Sequence, residues 1–282
     1  MSTLYGRQWL LTIGARQWTE LRVSFEVKRT INKYPDPATI TIYNLAAATR
    51  ASFSRGDEVR LVAGYTDNAS LLYSGQLQDM VVARDGPDWA TTITVRDGDN
   101  AWRTQVNTNF ATSAPLQLAV QRMASAMGLQ VLPASLPVLA GKSVRAGSVH
   151  VGNGHDALSR LLTPWSLRWC IQDGALVVLP SDGVTNQQAI LLTPQTGLIG
   201  SPEPMTDRPA KRFKKTKQLQ TKTGKRLRLT SLLQPNLRPG APVVLEAAQY
   251  VGTYRVDSAI HRGDSRGQDW YSVVETTYLG ST

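Results

Sequence analysis

Three short constellations in this sequence have the residue types of a chemical site. Gly263-Asp264-Ser265-Arg266-Gly267 spells G-x-S-x-G with His261 two residues upstream, the lettering of a serine nucleophile held on a sharp turn. That chemistry needs a strand, a tight turn and then a helix. Here a strand pattern precedes the motif and another, from Gln268, follows it, so a Gly-Asp-Ser-Arg-Gly hairpin loop is the better reading. Gly152-Asn153-Gly154-His155-Asp156-Ala157 has the G-x-G-x-x-A spacing of a dinucleotide loop, but its helix is short and leads to an Asp-Gly hairpin instead of a second parallel strand. His150, His155 and His261 share no metal-ligand spacing and have no acidic cluster beside them. The single Cys170 cannot make an internal disulfide or a thiolate metal set. No catalytic, cofactor-binding or metal-binding residue is assigned, and a non-enzymatic protein without cofactor is expected.

The remaining chemistry is charge. The chain of 282 residues carries a net +10, and ten basic residues lie between Met205 and Arg228: Arg208, Lys211, Arg212, Lys214, Lys215, Lys217, Lys222, Lys225, Arg226 and Arg228, against Asp207 alone. That strap holds +9 and leaves the rest of the chain at +1. It reads as a solvated loop or hairpin, as a contact for an acidic protein surface, or as a patch facing nucleic acid. The seven tryptophans are scattered and do not form a stacking platform within it. No window approaches the roughly 20 apolar residues of a membrane span, and the first residues lack a targeting pattern, so no membrane insertion is expected.

Behind these residues stand mostly strands. Leu21, Val23, Phe25 and Val27 alternate with Arg22, Ser24, Glu26 and Lys28; after Pro35-Asp36-Pro37, Ile40 and Ile42 alternate with Thr39, Thr41 and Tyr43. This is an antiparallel ribbon whose Pro-rich tip is expected to project. It is either an ordinary hairpin or an arm, Lys28 to Ala38, that packs on a neighbouring subunit. Further strands follow at Glu58–Ala63, Leu71–Arg84 and Trp89–Arg96. From Thr112 the period becomes helical: Ser113 is expected to cap a helix carrying Leu116, Val120, Met123 and Met127 up to Gly128. A second helix over His155–Leu162 and a hairpin about Asp173-Gly174 complete a compact α+β block. The tail returns to strands.

That tail repeats the beginning. Arg55-Gly56-Asp57-Glu58-Val59-Arg60-Leu61-Val62-Ala63 corresponds to Pro239-Gly240-Ala241-Pro242-Val243-Val244-Leu245-Glu246-Ala247, Gly75 to Gly252, and Gly86-Pro87-Asp88-Trp89 to Gly267-Gln268-Asp269-Trp270.

F-x-V-x-R at Phe25 followed by ITIYNL, RGDEVRLVAGY at Arg55, the W-x-I-x-D-G-x-L hairpin at Trp169, TGLIGSPE at Thr196, LLQPNLRPG at Leu232 and GTYRVDS at Gly252 stand in an order that resembles the baseplate hub proteins of tailed phages, especially those with contractile tails. The resemblance implies a mainly β fold with an α+β insert: two tail-tube-like antiparallel β-barrels, 1–110 and 182–282, joined by a small α+β domain, 111–181. It also implies a homotrimer whose six barrels form a ring, joining the hexameric tail tube or its initiator above to the trimeric spike below, with the tape-measure protein as a further partner. DNA would pass through the lumen without sequence-specific binding, and the chain would reside in the virion after assembly in the host cytoplasm. The basic strap is not part of the resemblance; its alternative role is nucleic-acid binding through 208–228. The residues expected at protein interfaces are Lys28, Arg29, Lys33 and Tyr34 on the ribbon, and Lys211, Arg212, Lys214, Lys215, Lys217, Lys222, Lys225 and Arg226 on the strap. The strap is also read as the ribbon's degenerate counterpart.

Overall fold

Alternation of apolar and polar residues turns most of the chain into strands, and a computed structural model describes residues 5–205 and 226–280. The N-terminal strands are β1 (Arg7–Ile13), β2 (Arg16–Trp18), β3 (Val23–Thr30), β4 (Pro37–Tyr43), β5 (Glu58–Tyr65), β6 (Ser70–Asp85) and β7 (Asp88–Arg96), with a helical turn α1 (Ala47–Arg50) between β4 and β5. The central block holds α2 (Asp99–Arg103), β8 (Gln105–Phe110), α3 (Leu116–Ala126), β9 (Gln130–Val131), α4 (Leu136–Leu139), β10 (Ser148–Asn153), α5 (Gly154–Leu162), β11 (Leu167–Gln172) and β12 (Ala175–Pro180). The C-terminal strands are β13 (Ile190–Leu192), β14 (Leu198–Pro204), β15 (Arg226–Leu232), β16 (Pro242–Glu246), β17 (Val251–Asp264) and β18 (Trp270–Gly280).

The two sets of strands do not close into separate barrels among the described residues. They form one 13-stranded sheet in the order β14-β15-β18-β17-β3-β4-β7-β6-β5-β1-β2, with β13 and β16 branching from β17. The reason is the second edge of β3. It pairs antiparallel with β17, from Ser258 opposite Thr30 to Asp264 opposite Ser24, so the sheet runs on instead of curling back on itself. Each set still has its own core. Leu11, Val27, Ile40, Ile42, Leu61 and Ile93 gather in the first; Leu227, Leu229, Val243, Leu245, Val256 and Val274 gather in the second. A third core fills the central block and draws in Ala101, Val106 and Phe110 from before residue 111.

The repeat is present in five strands of each set, while the strand beyond β5 is the antiparallel β1 and the strand beyond β16 is the parallel β13. β5-β6-β7 and β16-β17-β18 are both antiparallel meanders, entered through Gly56 (φ +95°) and Gly240 (φ +86°), whose left-handed backbones explain why both are glycine. Both ladders contain a bulge at the same place: β6 steps from Leu77 to Asp79 against β7, and β17 from Val256 to Ser258 against β18. Trp89 and Trp270 are equivalent, opposite Arg84 and Gly263. Gly75 and Gly252 are not: Gly252 faces Leu245, and the counterpart of Leu245, Leu61, faces Tyr73. β14 and β15 stand to β18 as β3 and β4 stand to β7; the strap between them, read as the ribbon's counterpart, lies outside the described residues apart from residues 226–228.

Two local expectations are corrected. Ser113 does not cap α3: it adopts φ +66°, its N–H bonds to the Val144 carbonyl, and Pro115 is the residue that precedes the helix. The ribbon tip does not project. Ile31 is buried with Cys170, Val177 and Leu179, because the apolar backs of β11 and β12 offer it a surface within the same chain. No helix among the described residues is long and apolar enough to cross a membrane.

Candidate functional site

Two arrangements of residues organise this molecule: a buried ionic junction where the three parts meet, and a polar wall made by the joined sheet. The junction begins with Arg29. Alternation along β3 places it on the same side as Val23, Phe25 and Val27, so its guanidinium is driven inward and is 1% exposed. Asp97 continues the inward phase of Ile93 and Val95, and Asp173 sits at the turn between β11 and β12. Arg29 donates through Nε (3.0 Å) and Nη2 (2.7 Å) to the Leu72 carbonyl, pairs with Asp97 at 3.6 Å, and bonds directly to Asp173. Arg238 reaches the other Asp173 oxygen at 2.5 Å and the Leu71 carbonyl at 2.6 Å. Asp97 accepts the backbone N–H groups of Asp173 (2.6 Å) and Gly174 (3.0 Å). One carboxylate of the central block is thus clamped by an arginine from each flanking set of strands.

Burial works against the Arg29 charge, but the carboxylates of Asp173 and Asp97 outweigh it and hold the guanidinium above its ordinary value. Burial pushes Asp97 up to about 6 despite Arg29, and Asp36 up to about 7 despite hydrogen bonds from the Thr30 N–H (2.7 Å) and hydroxyl (2.8 Å). His261, fully buried with Nδ1 at 2.8 Å from the Ser272 hydroxyl, is driven down to about 3 and is a neutral structural residue.

The wall is the opposite face of β14-β15-β18-β17-β3-β4-β7-β6. Its residues alternate with the core: Ser24, Glu26, Thr39, Thr41, Thr92, Arg262, Glu275 and Arg228. Charges there are matched across strands. Arg262 meets Glu26 at 2.7 Å, and Arg228 meets Glu275 at 3.3 Å; Thr41 and Thr92 share a hydrogen bond of 3.0 Å. At one margin Arg22 meets Asp264 at 2.8 Å; although burial acts the other way, this bond keeps the Asp264 carboxyl below its usual range. The result is a threonine-rich, charge-compensated surface that spans both sets of strands.

Of the ribbon residues singled out from sequence, Lys28 lies exposed on β3 opposite Ile260. Arg29 is the centre of the junction. Lys33 donates to Asp156 at 3.2 Å, and Tyr34, 61% exposed, leans on Trp102, which stacks on His155 at 4.1 Å. The tip is therefore an arm within the chain that touches α2 and α5. On the strap, Arg226 lies 3.9 Å from Glu275. Lys211, Arg212, Lys214, Lys215, Lys217, Lys222 and Lys225 fall outside the described residues. Sequence reading missed Asp97, Asp173 and Arg238; for the first, the in-phase position after Ile93 and Val95 was the available signal.

The motifs with enzyme lettering have other occupations. Ser265 exchanges two hydrogen bonds with the backbone of Val23, each 2.9 Å, and sits in the loop between β17 and β18. β10, before the glycine-rich stretch, pairs antiparallel with β8. Among the described residues no group of His, Cys, Asp and Glu is arranged to hold a metal ion.

Comparison with known proteins agrees with this layout. The chain is similar in fold to a 43 kDa tail protein of prophage MuSo2 from Shewanella oneidensis (TM-score 0.67, 9% identity, 97% of this chain and 99% of that one). It is likewise similar to a tail protein from Neisseria meningitidis MC58 (TM-score 0.68, 11% identity, 97% of each). A third match is the c3393 protein of Escherichia coli, described as a component of the type VI secretion system (TM-score 0.61, 10% identity, 95% of this chain and 76% of that one). A search of curated proteins gave no match. The family model described as baseplate hub gp41 matches residues 11–247. The chain belongs to the baseplate hub gp41 family, structural components of the phage tail baseplate.

Proposed function

We propose that three copies of this chain form a ring of six quasi-equivalent units that joins the hexameric tail tube, or its initiator, to the trimeric spike. Each set of strands acts as one open, tube-type barrel unit, with the central block set between them in sequence. The observation that carries this reading is the β17–β3 ladder between two repeats of five corresponding strands. It places two like units side by side in one sheet, as neighbours in a ring would stand, and a chain with two such units lets three-fold assembly imitate six-fold. The compensated wall suits a lumen through which DNA slides without being held: Glu26–Arg262 and Glu275–Arg228 leave little net field. The virion baseplate is its place, reached by assembly in the host cytoplasm with the tape-measure protein as a neighbour, and no catalytic step is assigned to it.

Native mass spectrometry of the hub assembled with its spike tests this. A species with three 30.9-kDa chains is expected. A hub that stays a single chain in the complex contradicts the reading. Retention of DNA by the isolated chain, falling steeply with salt, would instead favour nucleic-acid binding through 208–228.

A further inference from the structure

We infer that the free edge of β6, residues 79–85, is the socket for a second copy of this chain, and that it pairs antiparallel with β14 of that copy; this rests on the ring proposed above. β6 and β17 are counterparts, and each has its following strand, β7 or β18, along one edge. On the other edge each first carries its preceding strand. β5 covers β6 from Ser70 to Gln76, and β16 covers β17 from Val251 to Arg255. Each then bulges, at Gln78 and at Asp257, and turns a fresh length of edge outward.

There the repeats part company. Residues 258–264 of β17 are covered by β3, whereas no described strand pairs with 79–85 of β6 on that edge. Exposure follows: Val81 is 57% and Val82 39% exposed, while His261, the counterpart of Val82, is fully buried. Monomeric proteins blunt such edges with lysine or proline. Asp79-Met80-Val81-Val82-Ala83-Arg84-Asp85 contains neither, and its middle is apolar.

The chain itself supplies the partner. β3 is the strand beyond β4, and its counterpart is β14, the strand beyond β15, which ends the sheet among the described residues. Transferring the internal register, in which Arg262 faces Glu26 and Ile260 faces Lys28, sets Ala83 opposite Glu203 and Val81 opposite Met205 of the next copy. Val81, 57% exposed, then gains the side chain of Met205 as an apolar neighbour. Three arcs of eight strands would close into 24, which at about 4.8 Å per strand gives a wall roughly 37 Å across.

The test is a cysteine pair, Ala83→Cys with Glu203→Cys, at two exposed positions of the full chain in purified tails. Oxidation is expected to give bands of two and three linked hubs and none larger, while Val81→Cys with Glu203→Cys, two residues out of register, links several-fold less. Tails containing three hubs that do not cross-link in this register overturn the strand pairing and leave the ring standing. Tails with another hub copy number overturn the ring itself. In the purified chain, Val81→Asp is expected to keep the thermal midpoint and weaken self-association about ten-fold or more. Undiminished association would also overturn the socket.

Discussion

Replacing Arg29 by Met would leave Asp97 and Asp173 buried beside each other without the guanidinium between them. Removing one member of a buried ionic set costs about 3–5 kcal/mol, so a marked drop in the denaturant midpoint is expected; a drop no larger than that of Lys28→Met, an exposed neighbour, would show that the junction does not hold the parts together. Asp36 and Asp97 give the junction a pH dependence. Burial raises both carboxyls, from 3.8 to about 7 and about 6, so the folded chain keeps protons that the unfolded chain has released. Their contribution is complete below about pH 4 and is lost as pH rises towards 7. Asp36→Asn should flatten the fall of thermal midpoint between pH 4 and 7; identical slopes in the two proteins would contradict the assignment. Arg29 was singled out as a residue facing another subunit; in this chain it is buried against Asp97 and Asp173. The alternation that made Phe25 and Val27 core residues applies equally to Arg29, yet its carboxylate partners lie 68 and 144 positions away, which no local pattern reveals.

At the scale of elements, the β17–β18 hairpin carries more than its own ladder. Trp270, 2% exposed, leaves the C-terminal strands and enters the N-terminal core, stacking edge-on against Phe25 at 5.5 Å and donating to the Gly64 carbonyl at 3.1 Å. Trp270→Ala should cost about 3–5 kcal/mol and loosen both sets of strands in one cooperative transition. A variant that lost only the C-terminal strands would show that the sheet is not continuous in energy. The equivalent Trp89 is 44% exposed, so Trp89→Ala should cost far less. The ribbon, the β5–β7 meander, its repeat and the Asp173-Gly174 hairpin were readable because apolar alternation and turn residues are local signals. β14 was not: Gly200-Ser201-Pro202 bulges away from β15 between Ile199 and Glu203, so the stretch reads as turn-rich although its ends are paired. The ribbon tip was misread because a Pro-rich loop says where the chain bends and nothing about what it then meets.

For the whole molecule, the continuity of the sheet decides how the parts work. A hinge between two separate barrels would let a ring flex; a β17–β3 ladder backed by the Arg29, Asp173 and Arg238 set makes the two units move as one. The order of elements and the duplication were legible in the sequence. Their joining into one sheet was not, because pairing between Val23–Thr30 and Ser258–Asp264 spans most of the chain and leaves no periodic trace. The most direct test of the account is the rotational symmetry of the hub layer in images of the assembled tail. The account predicts three chains arranged as six nearly equivalent units, with one continuous strand wall facing the lumen. A hub layer of six chains, or three chains whose two halves lie at different heights along the tail axis, would contradict it.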